Sequence, residues 1–487
     1  MRKKAALARV IPIARVSDVE GDATESGGGW LFEKRREIYP RAVTGWFAGW
    51  RWAFVWITQL VFYGLPWLTW NGRPAVLFDL GARRFYVFAL VLHPQDFIYL
   101  TALLVISAGA LFLFTAVAGR LWCGFSCPQT VYTEIFMWVE RRIEGDRTVR
   151  MKRDAAPHGV DFYWRRTAKH AAWLAIALFT GFSFVGYFTP IRTLASELLT
   201  LGLGPWEGFW VLFYALATYG NAGWLREQVC LYMCPYARFQ SAMFDRDTLI
   251  VSYDAARGEP RGSRARSADP RALGKGDCID CGLCVQVCPT GIDIRQGLQY
   301  ACIGCAACVD VCNGVMDKMR YPQGLIRFAT ANAMEQGFGR ARVLRRVLRP
   351  RVLVYGGVLA LICTGLVAGL ALRSTVRVDV VRDRGALARE VGEGDIENVY
   401  RLQVMNSSEQ VQRLRVRVEG LEGAVVSSAA DFEVGAAQAR WVPVSVQMDA
   451  GHAHALDRGA HRLQFVLTRE DDDTPLVREK STFLLPR

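Results

Sequence analysis

The chain of 487 residues has no glycine-rich phosphate loop, no G-x-G-x-x-G dinucleotide fingerprint and no C-x2-C-H haem-attachment motif. Direct electron uptake from a nicotinamide cofactor is therefore not expected, and a partner protein or a quinol is the better source. Cysteine is absent from Thr375 to the end, so no disulfide staples that region. The charged N-terminus lacks a short apolar stretch followed by a small-residue cleavage site, so a cleavable signal peptide is not expected. Charge is missing altogether from five long stretches: Trp52–Gly72, Phe97–Gly119, Ala171–Ile191, Gly208–Leu225 and Val352–Leu372. Each is near the ~20 residues that a spanning helix requires.

What is present fits that segregation. Hydrophobic residues make up 52% and charged residues 22%, with 15 Trp, 26 Phe and a net charge of +13. A basic balance can serve nucleic acid or a membrane, and here Lys and Arg gather beside the apolar stretches. Membrane lipid is thus the expected partner, and nucleic acid is not. The loop after the second stretch carries Arg120, Arg141, Arg142, Arg147, Arg150, Lys152, Arg153, Arg165 and Arg166, whereas the loop after the third offers only Arg192. Short basic loops stay cytoplasmic, which puts the N-terminus inside and, after five spans, the C-terminus outside.

Eight of the 13 cysteines fall in one segment. It reads Cys278-Ile-Asp-Cys281-Gly-Leu-Cys284-Val-Gln-Val-Cys288-Pro289, then Cys302-Ile-Gly-Cys305-Ala-Ala-Cys308-Val-Asp-Val-Cys312. C-x2-C-x2-C-x3-C is the bacterial ferredoxin pattern, in which the fourth cysteine ligates the other cluster. Cys278, Cys281, Cys284 and Cys312 are the expected ligands of one [4Fe-4S] cluster. Cys302, Cys305, Cys308 and Cys288 are those of the second. A zinc site or a disulfide framework would not need triple runs of this kind. Cys312 is followed by Asn313 where Cys288 is followed by Pro289, which alters the turn and leaves the ligand set alone. Intact thiolates call for a reducing compartment, in agreement with the side that charge assigns to this segment.

Four more cysteines form a repeat: Cys123-Gly-Phe-Ser-Cys127-Pro128 and Cys230-Leu-Tyr-Met-Cys234-Pro235. Each pair closes a helical hairpin at the same membrane face. If helical, cysteines four apart share a face, and the pairs could converge as four thiols. The prolines could instead break the helix there. Thiolates are soft ligands that favour Cu(I), so Cys123, Cys127, Cys230 and Cys234 are candidates for a metal or redox site; small-residue packing is the competing account. The other features are blander. His93 reads as a helix-start turn, His170 as a boundary residue, His452, His454 and His461 as surface loop, and Cys363 as helix packing.

The expected organisation is a multi-domain membrane protein. A basic tail covers 1–45, a four-helix membrane domain 46–253, and a flexible basic linker 254–276. A ferredoxin-like domain with two clusters follows over 277–320, then a basic connector over 321–351 whose arginines face lipid headgroups, and a fifth span over 352–372. Residues 375–487 alternate with period two over 399–408, 412–418, 441–446 and 462–467, which predicts an Ig-like β-sandwich.

These residues together resemble the cytochrome c oxidase accessory family called CcoG, FixG or RdxA. The matching features are the two C-x3-C-P hairpins, the basic loop and the double cluster motif. Asn71-Gly-Arg-Pro74 to Asp79, Tyr236-Ala-Arg-Phe-Gln240, Tyr321-Pro322 and Gly324-Leu-Ile-Arg327 match as well. The resemblance implies a bacterial inner-membrane iron–sulfur protein that reduces Cu(II) to Cu(I) for assembly of the cbb3-type oxidase, with its sandwich in the periplasm. It implies as partners the oxidase assembly factors or a copper transporter, an unidentified electron donor and, in some forms, a second copy of the chain. The membrane half is also similar to NapH-type quinol-oxidising subunits. That gives a rival reading, and a copper-holding scaffold with structural clusters is a third.

Overall fold

The computed structural model describes residues 37–383, 385, 388–392, 394–470 and 472–486, so most of the expected basic tail lies outside the described residues. The described residues divide into two compact units, one running up to residue 67 and over 102–363, the other over 68–101 and from 364 onward.

The first unit is helical around the cysteine segment. Its long helices are Trp46–Gly64, Pro128–Glu144 and Val160–Val185, with the shorter Pro205–Thr218 continued by a π-helical turn over Tyr219–Leu225. Phe136, Val139, Trp173, Ala177, Ala215 and Ala222 form the core where these helices meet. Trp173 stacks on Phe136 with ring centroids 5.2 Å apart, and its indole N–H donates to the Phe136 carbonyl at 3.0 Å. A buried indole N–H needs such a partner.

Among the described residues, three helices are long and apolar enough to cross a membrane: Pro94–Ala118, Val160–Val185 and Pro350–Ala371. The other two of the five expected stretches are not continuous apolar helices of that length. The first expected span, Trp52–Gly72, is a helix only to Gly64, and it begins before Arg51, which adds a charge to it. Past Gly64 the chain turns through Leu65–Trp67 into a strand at Thr69–Trp70. The fourth is α-helical for 14 residues before it widens into the π turn that holds Asn221.

The ferredoxin-like part is broader than 277–320. Ile250–Tyr253 pairs antiparallel with Ile326–Ala329, bracketing the cysteine segment with a two-stranded sheet. Val251, Tyr253, Leu325 and Ile326 pack with Cys278 and Cys284 in one core. The stretch expected as a flexible linker is instead tied down. Arg257 pairs with Asp277 at 2.5 Å, Asp254 caps the short helix Ala255–Gly258, and Arg264 donates to the Gly276 carbonyl at 2.7 Å. Of the arginines expected to face lipid headgroups, Arg346 pairs with Asp247 at 2.9 Å and Arg349 with Asp245 at 3.0 Å. An available carboxylate gives a guanidinium a directional partner as well as an opposite charge.

The second unit is a two-sheet sandwich. One sheet orders Ala424–Val426, Ala439–Met448, Asp395–Asn406 and Val376–Arg382, and the other orders Asp431–Val434, Gln412–Glu419, Gly459–Arg469 and Asp472–Leu485. Tyr400, Leu402, Val444, Val446, Phe465 and Phe483 are its fully buried centre. All four alternating stretches read from the sequence fall on strands. Residues 68–101, expected within the membrane domain, belong to this unit. They carry a hairpin (Thr69–Trp70 with Arg73–Pro74) and a three-stranded sheet over Val76–Asp79, Arg84–Val87 and Leu90–Leu92. Arg73 reaches Glu409 at 2.8 Å, and buried Asp96 lies between Arg373 (2.5 Å) and Arg377 (2.7 Å). His93 caps the turn Pro94–Asp96, as expected, and its Nδ1 sits 3.2 Å from the Ser407 hydroxyl. His452, His454 and His461 lie at the surface of this unit, and Cys363 is half-buried in its apolar helix.

The candidate electron-transfer centre

The eight motif cysteines line two adjoining small cavities. Cys278, Cys281, Cys284 and Cys312 surround one, and Cys288, Cys302, Cys305 and Cys308 surround the other, with Cys284 on the wall between them. Local backbone explains the grouping. Leu283–Gln286 is a single helical turn, after which Cys288 leads into Pro289, where a helix cannot readily continue. Cys312 has no proline after it and sits inside the longer helix Ala307–Met319, whose Asn313 side chain accepts from the Gly324 N–H at 2.9 Å. The missing proline therefore lengthens the helix and carries Cys312 back towards the first motif.

These residues suit two cubane clusters better than mononuclear metals. Each cavity has an all-thiol donor set, yet no three or more His, Cys, Asp or Glu among the described residues are spaced to hold one ion. A single zinc needs its sulfurs within about 4 Å of one another, given bonds of about 2.3 Å, whereas a cubane holds its ligands wider apart. Burial pushes the Cys284 thiol up to about 11 and the Cys302 and Cys312 thiols up to about 12. Without metal these groups are neutral, so cluster insertion must release protons.

The C-x3-C-P pairs end at their prolines. Cys123 lies in the short helix Leu121–Phe125, and Cys127 is the N-cap of Pro128–Glu144. Cys230 lies in a π turn over Val229–Met233, and Cys234 caps Pro235–Met243. Proline at the first helical position is preorganised for a helix start, so each pair straddles two helices rather than one face of one. Cys123 Sγ is 3.4 Å from the Gln240 amide nitrogen, and Gln240 is fully buried. The Cys123, Cys127 and Cys234 thiols all act electrostatically on Cys230, while among the described residues the four are not spaced as a preformed single-ion site. Burial pushes Cys123 up to about 11 and Cys230 up to about 12.

The two cysteine sets touch. A Cβ added to Gly124 would lie 2.8 Å from both the Cα and the N of Cys305, so only glycine lets the first hairpin approach the second cluster loop. Cys123 packs in the same small core as Cys305 and Ile303. Arg120 holds three segments at once, donating to the carbonyls of Tyr300, Cys302 (3.1 Å) and Ala237 (2.9 Å). A cavity of about 310 Å3 is lined by Cys305 on one side and Cys230 on the other, together with Arg51, Glu134, His170 and Glu227.

Comparison with known proteins now assigns the chain. A family of 4Fe-4S dicluster domains matches residues 225–331, a 4Fe-4S binding domain matches 100–145, and the Ig-like fold at the C-terminal of FixG matches 366–486. The nitrogen fixation protein FixG of Rhizobium meliloti is 38% identical over 432 residues, covering 82% of each chain. Protein RdxA of Cereibacter sphaeroides is 38% identical over 401 residues, covering 81% of this chain and 84% of its own. The chain belongs to the FixG/RdxA family. A solved FixG-related protein from Vibrio parahaemolyticus, 26% identical, aligns over 23% of this chain and 97% of its own with a TM-score of 0.20.

Membership makes this FixG/RdxA-type chain a membrane iron–sulfur redox protein. Several residues that matter to its centre carry no signal in the sequence. Arg51 looks like a stray charge beside an apolar stretch, yet it is buried and within hydrogen-bonding reach of the Cys305 sulfur. Asp310, between two cluster cysteines, turns outward and caps Trp46–Gly64, accepting from Phe47 N at 3.1 Å and Ala48 N at 2.7 Å. A Cβ on Gly45 would sit 2.4 Å from the Asp310 carboxyl carbon, so glycine is what admits that cap. Glu140, buried, gathers Arg150 (2.8 Å), Arg226 (3.2 Å) and Lys169 (3.7 Å). His170, expected as a boundary residue, bonds Tyr219 at 2.9 Å and stacks on Trp224 at the rim of the polar cavity.

Proposed function

We propose that the chain reduces Cu(II) to Cu(I) at the membrane-edge cysteines for assembly of a cbb3-type oxidase. In this reading Cys278, Cys281, Cys284 and Cys312 hold one [4Fe-4S] cluster, and Cys302, Cys305, Cys308 and Cys288 hold the other. The clusters supply one-electron transfer, which matches the single electron that separates the two copper states. Cys123, Cys127, Cys230 and Cys234 bind the ion, and soft thiolates favour the Cu(I) product. The observation that carries the reading is the contact between sets: Gly124 lies on Cys305, and Cys305 and Cys230 share one cavity.

The protein side of the reaction follows from local structure. Arg120 fixes both hairpins to the second cluster loop, so the copper thiols keep their distance from the electron source. Gln240 orients Cys123. Copper displaces protons from thiols that burial keeps neutral, so binding strengthens as pH rises. In this reading, which the bias of Lys and Arg supports, the cluster segment is cytoplasmic and the sandwich periplasmic in a bacterial inner membrane, beside copper carriers or oxidase assembly factors.

Replacing Cys123, Cys127, Cys230 and Cys234 together with Ser tests this. Protein with both clusters intact by EPR should no longer consume the Cu(II) signal when pre-reduced. Unchanged copper reduction overturns the assignment, and copper that binds without oxidising the clusters favours a holding scaffold.

A further inference from the structure

The membrane half contains a second cavity, separate from the polar one and lined by other residues of helices Trp46–Gly64 and Pro128–Glu144. It is a partly open groove of about 840 Å3, lined almost wholly by apolar side chains, among them Trp52, Trp56, Trp138, Ile176 and Phe179. Two polar residues interrupt the lining, Gln59 and Tyr63. The Gln59 Oε1 is buried with no hydrogen-bond partner, and an orphaned acceptor of this kind costs stability unless a donor arrives. The Tyr63 hydroxyl is bonded to Thr180 at 2.9 Å. One wall of the cavity is helix Val160–Val185, which is long and apolar enough to lie in a bilayer. Trp52 and Trp138 meet edge to face, with centroids 6.3 Å apart.

The cavity also lies close to the cysteines. Trp52 follows Arg51, whose guanidinium faces Cys305, and Gln59 lies about 12 Å farther along the same helix at 1.5 Å per residue. An apolar chamber with aromatic walls, one waiting acceptor and one hydroxyl suits a flat, lipid-soluble molecule that carries its own O–H donors. We propose that this cavity binds an isoprenoid quinol, which is the electron source of the centre. The proposal deepens the electron-transfer reading and is independent of whether copper is the acceptor.

The step balances on the chain's own terms. The hydroquinone donates one O–H to Gln59 Oε1, and its ring lies among Trp52, Trp56 and Trp138. Oxidation breaks both O–H bonds and leaves a quinone. Two electrons leave singly, one to each [4Fe-4S] cluster, and two protons go to water. Gln59 cannot take a proton, so it is a binding residue and not a base.

The test uses the full-length, cluster-loaded protein in detergent without copper. Decylubiquinone should quench tryptophan fluorescence saturably, and decylubiquinol should bleach the cluster absorbance. Gln59→Leu should raise the decylubiquinol concentration for half-maximal bleaching about tenfold, the effect of losing one buried hydrogen bond that only the quinol, with its O–H donors, can make. Ala175→Phe, which fills the cavity from its wall, should abolish quenching and quinol-driven bleaching alike. Both variants should still be reduced by dithionite with normal EPR signals, which shows that the clusters and fold are intact. Wild-type quinol dependence of bleaching in Gln59→Leu together with wild-type quenching in Ala175→Phe overturns the proposal. So does displacement of quinone by excess phospholipid with no bleaching by quinol, which would make the cavity an acyl-chain site.

Discussion

Arg51 offers the sharpest test of how the protein tunes its centre. It is buried to 7% exposure on helix Trp46–Gly64, with its guanidinium in reach of the Cys305 sulfur and the negative charges of Glu134 and Asp310 acting on it. A reduced cluster carries one more negative charge than an oxidised one, so a cation beside its ligand favours the reduced form and raises the potential. Hydrogen bonds to charged groups contribute about 1.5–3 kcal/mol. With 59 mV for each tenfold change in a one-electron couple, a bond made only in the reduced state would raise the potential by roughly 65–130 mV, which is the ceiling of the effect. Arg51→Gln keeps a donor but removes the charge, and Arg51→Met removes both. The second cluster should therefore fall in potential in both variants, further in Arg51→Met, while the first cluster stays put. EPR-monitored redox titration of the two signals measures this directly. If both clusters are fully loaded and neither potential moves in Arg51→Met, the assignment of Arg51 to the Cys305 sulfur is wrong.

Other perturbations follow from the same contacts. Gly124→Ala forces a Cβ to within 2.8 Å of the Cys305 backbone, so it should lower stability by about 1–3 kcal/mol and slow electron delivery to copper; stopped-flow kinetics and thermal melting read the two effects separately. Asp310→Ala removes the cap of Trp46–Gly64 at a cost of about 1–2 kcal/mol in denaturant unfolding, while the neighbouring cluster signals should persist. For Glu140, burial raises the pKa, but Arg226, Arg150 and Lys169 more than offset it and hold the carboxyl below its ordinary value of 4.5. A depressed folded-state pKa gives stability that is present above the unfolded value and lost as pH falls through the folded one. The unfolding midpoint should then hold steady above pH ~5 and drop below it, and Glu140→Gln should flatten that dependence.

The parts of this protein that depend on neighbouring residues were written plainly in the sequence. Cluster ligation follows from cysteine spacing within a few residues, strand formation from alternation along one segment, and helix starts from Pro128 and Pro235. The sandwich strands at 399–408 and 412–418 could be read because burying one face of a strand imposes a period of two. The orientation expected from charge rests on counting alone, and so does the apolar length of the three helices long enough to cross a membrane.

What depends on distant residues had to wait for the tertiary structure. The small strands over 68–101 join the sandwich unit through partners such as Glu409, more than three hundred positions away, and no local pattern announces that. Two of the five expected stretches differ from their composition because Arg51 falls within the helix Trp46–Gly64 and Asn221 within the π turn after Thr218. The linker at 254–276 is ordered by Asp277, Tyr321 and Pro322, acceptors supplied by another part of the chain. Above all, only folding brings Gly124 onto Cys305 and places Cys230 and Cys305 on one cavity. Spacing determines which thiols can share a metal, because ligand geometry is local; which centre then passes its electron to which is decided by packing, and packing is a property of the whole chain.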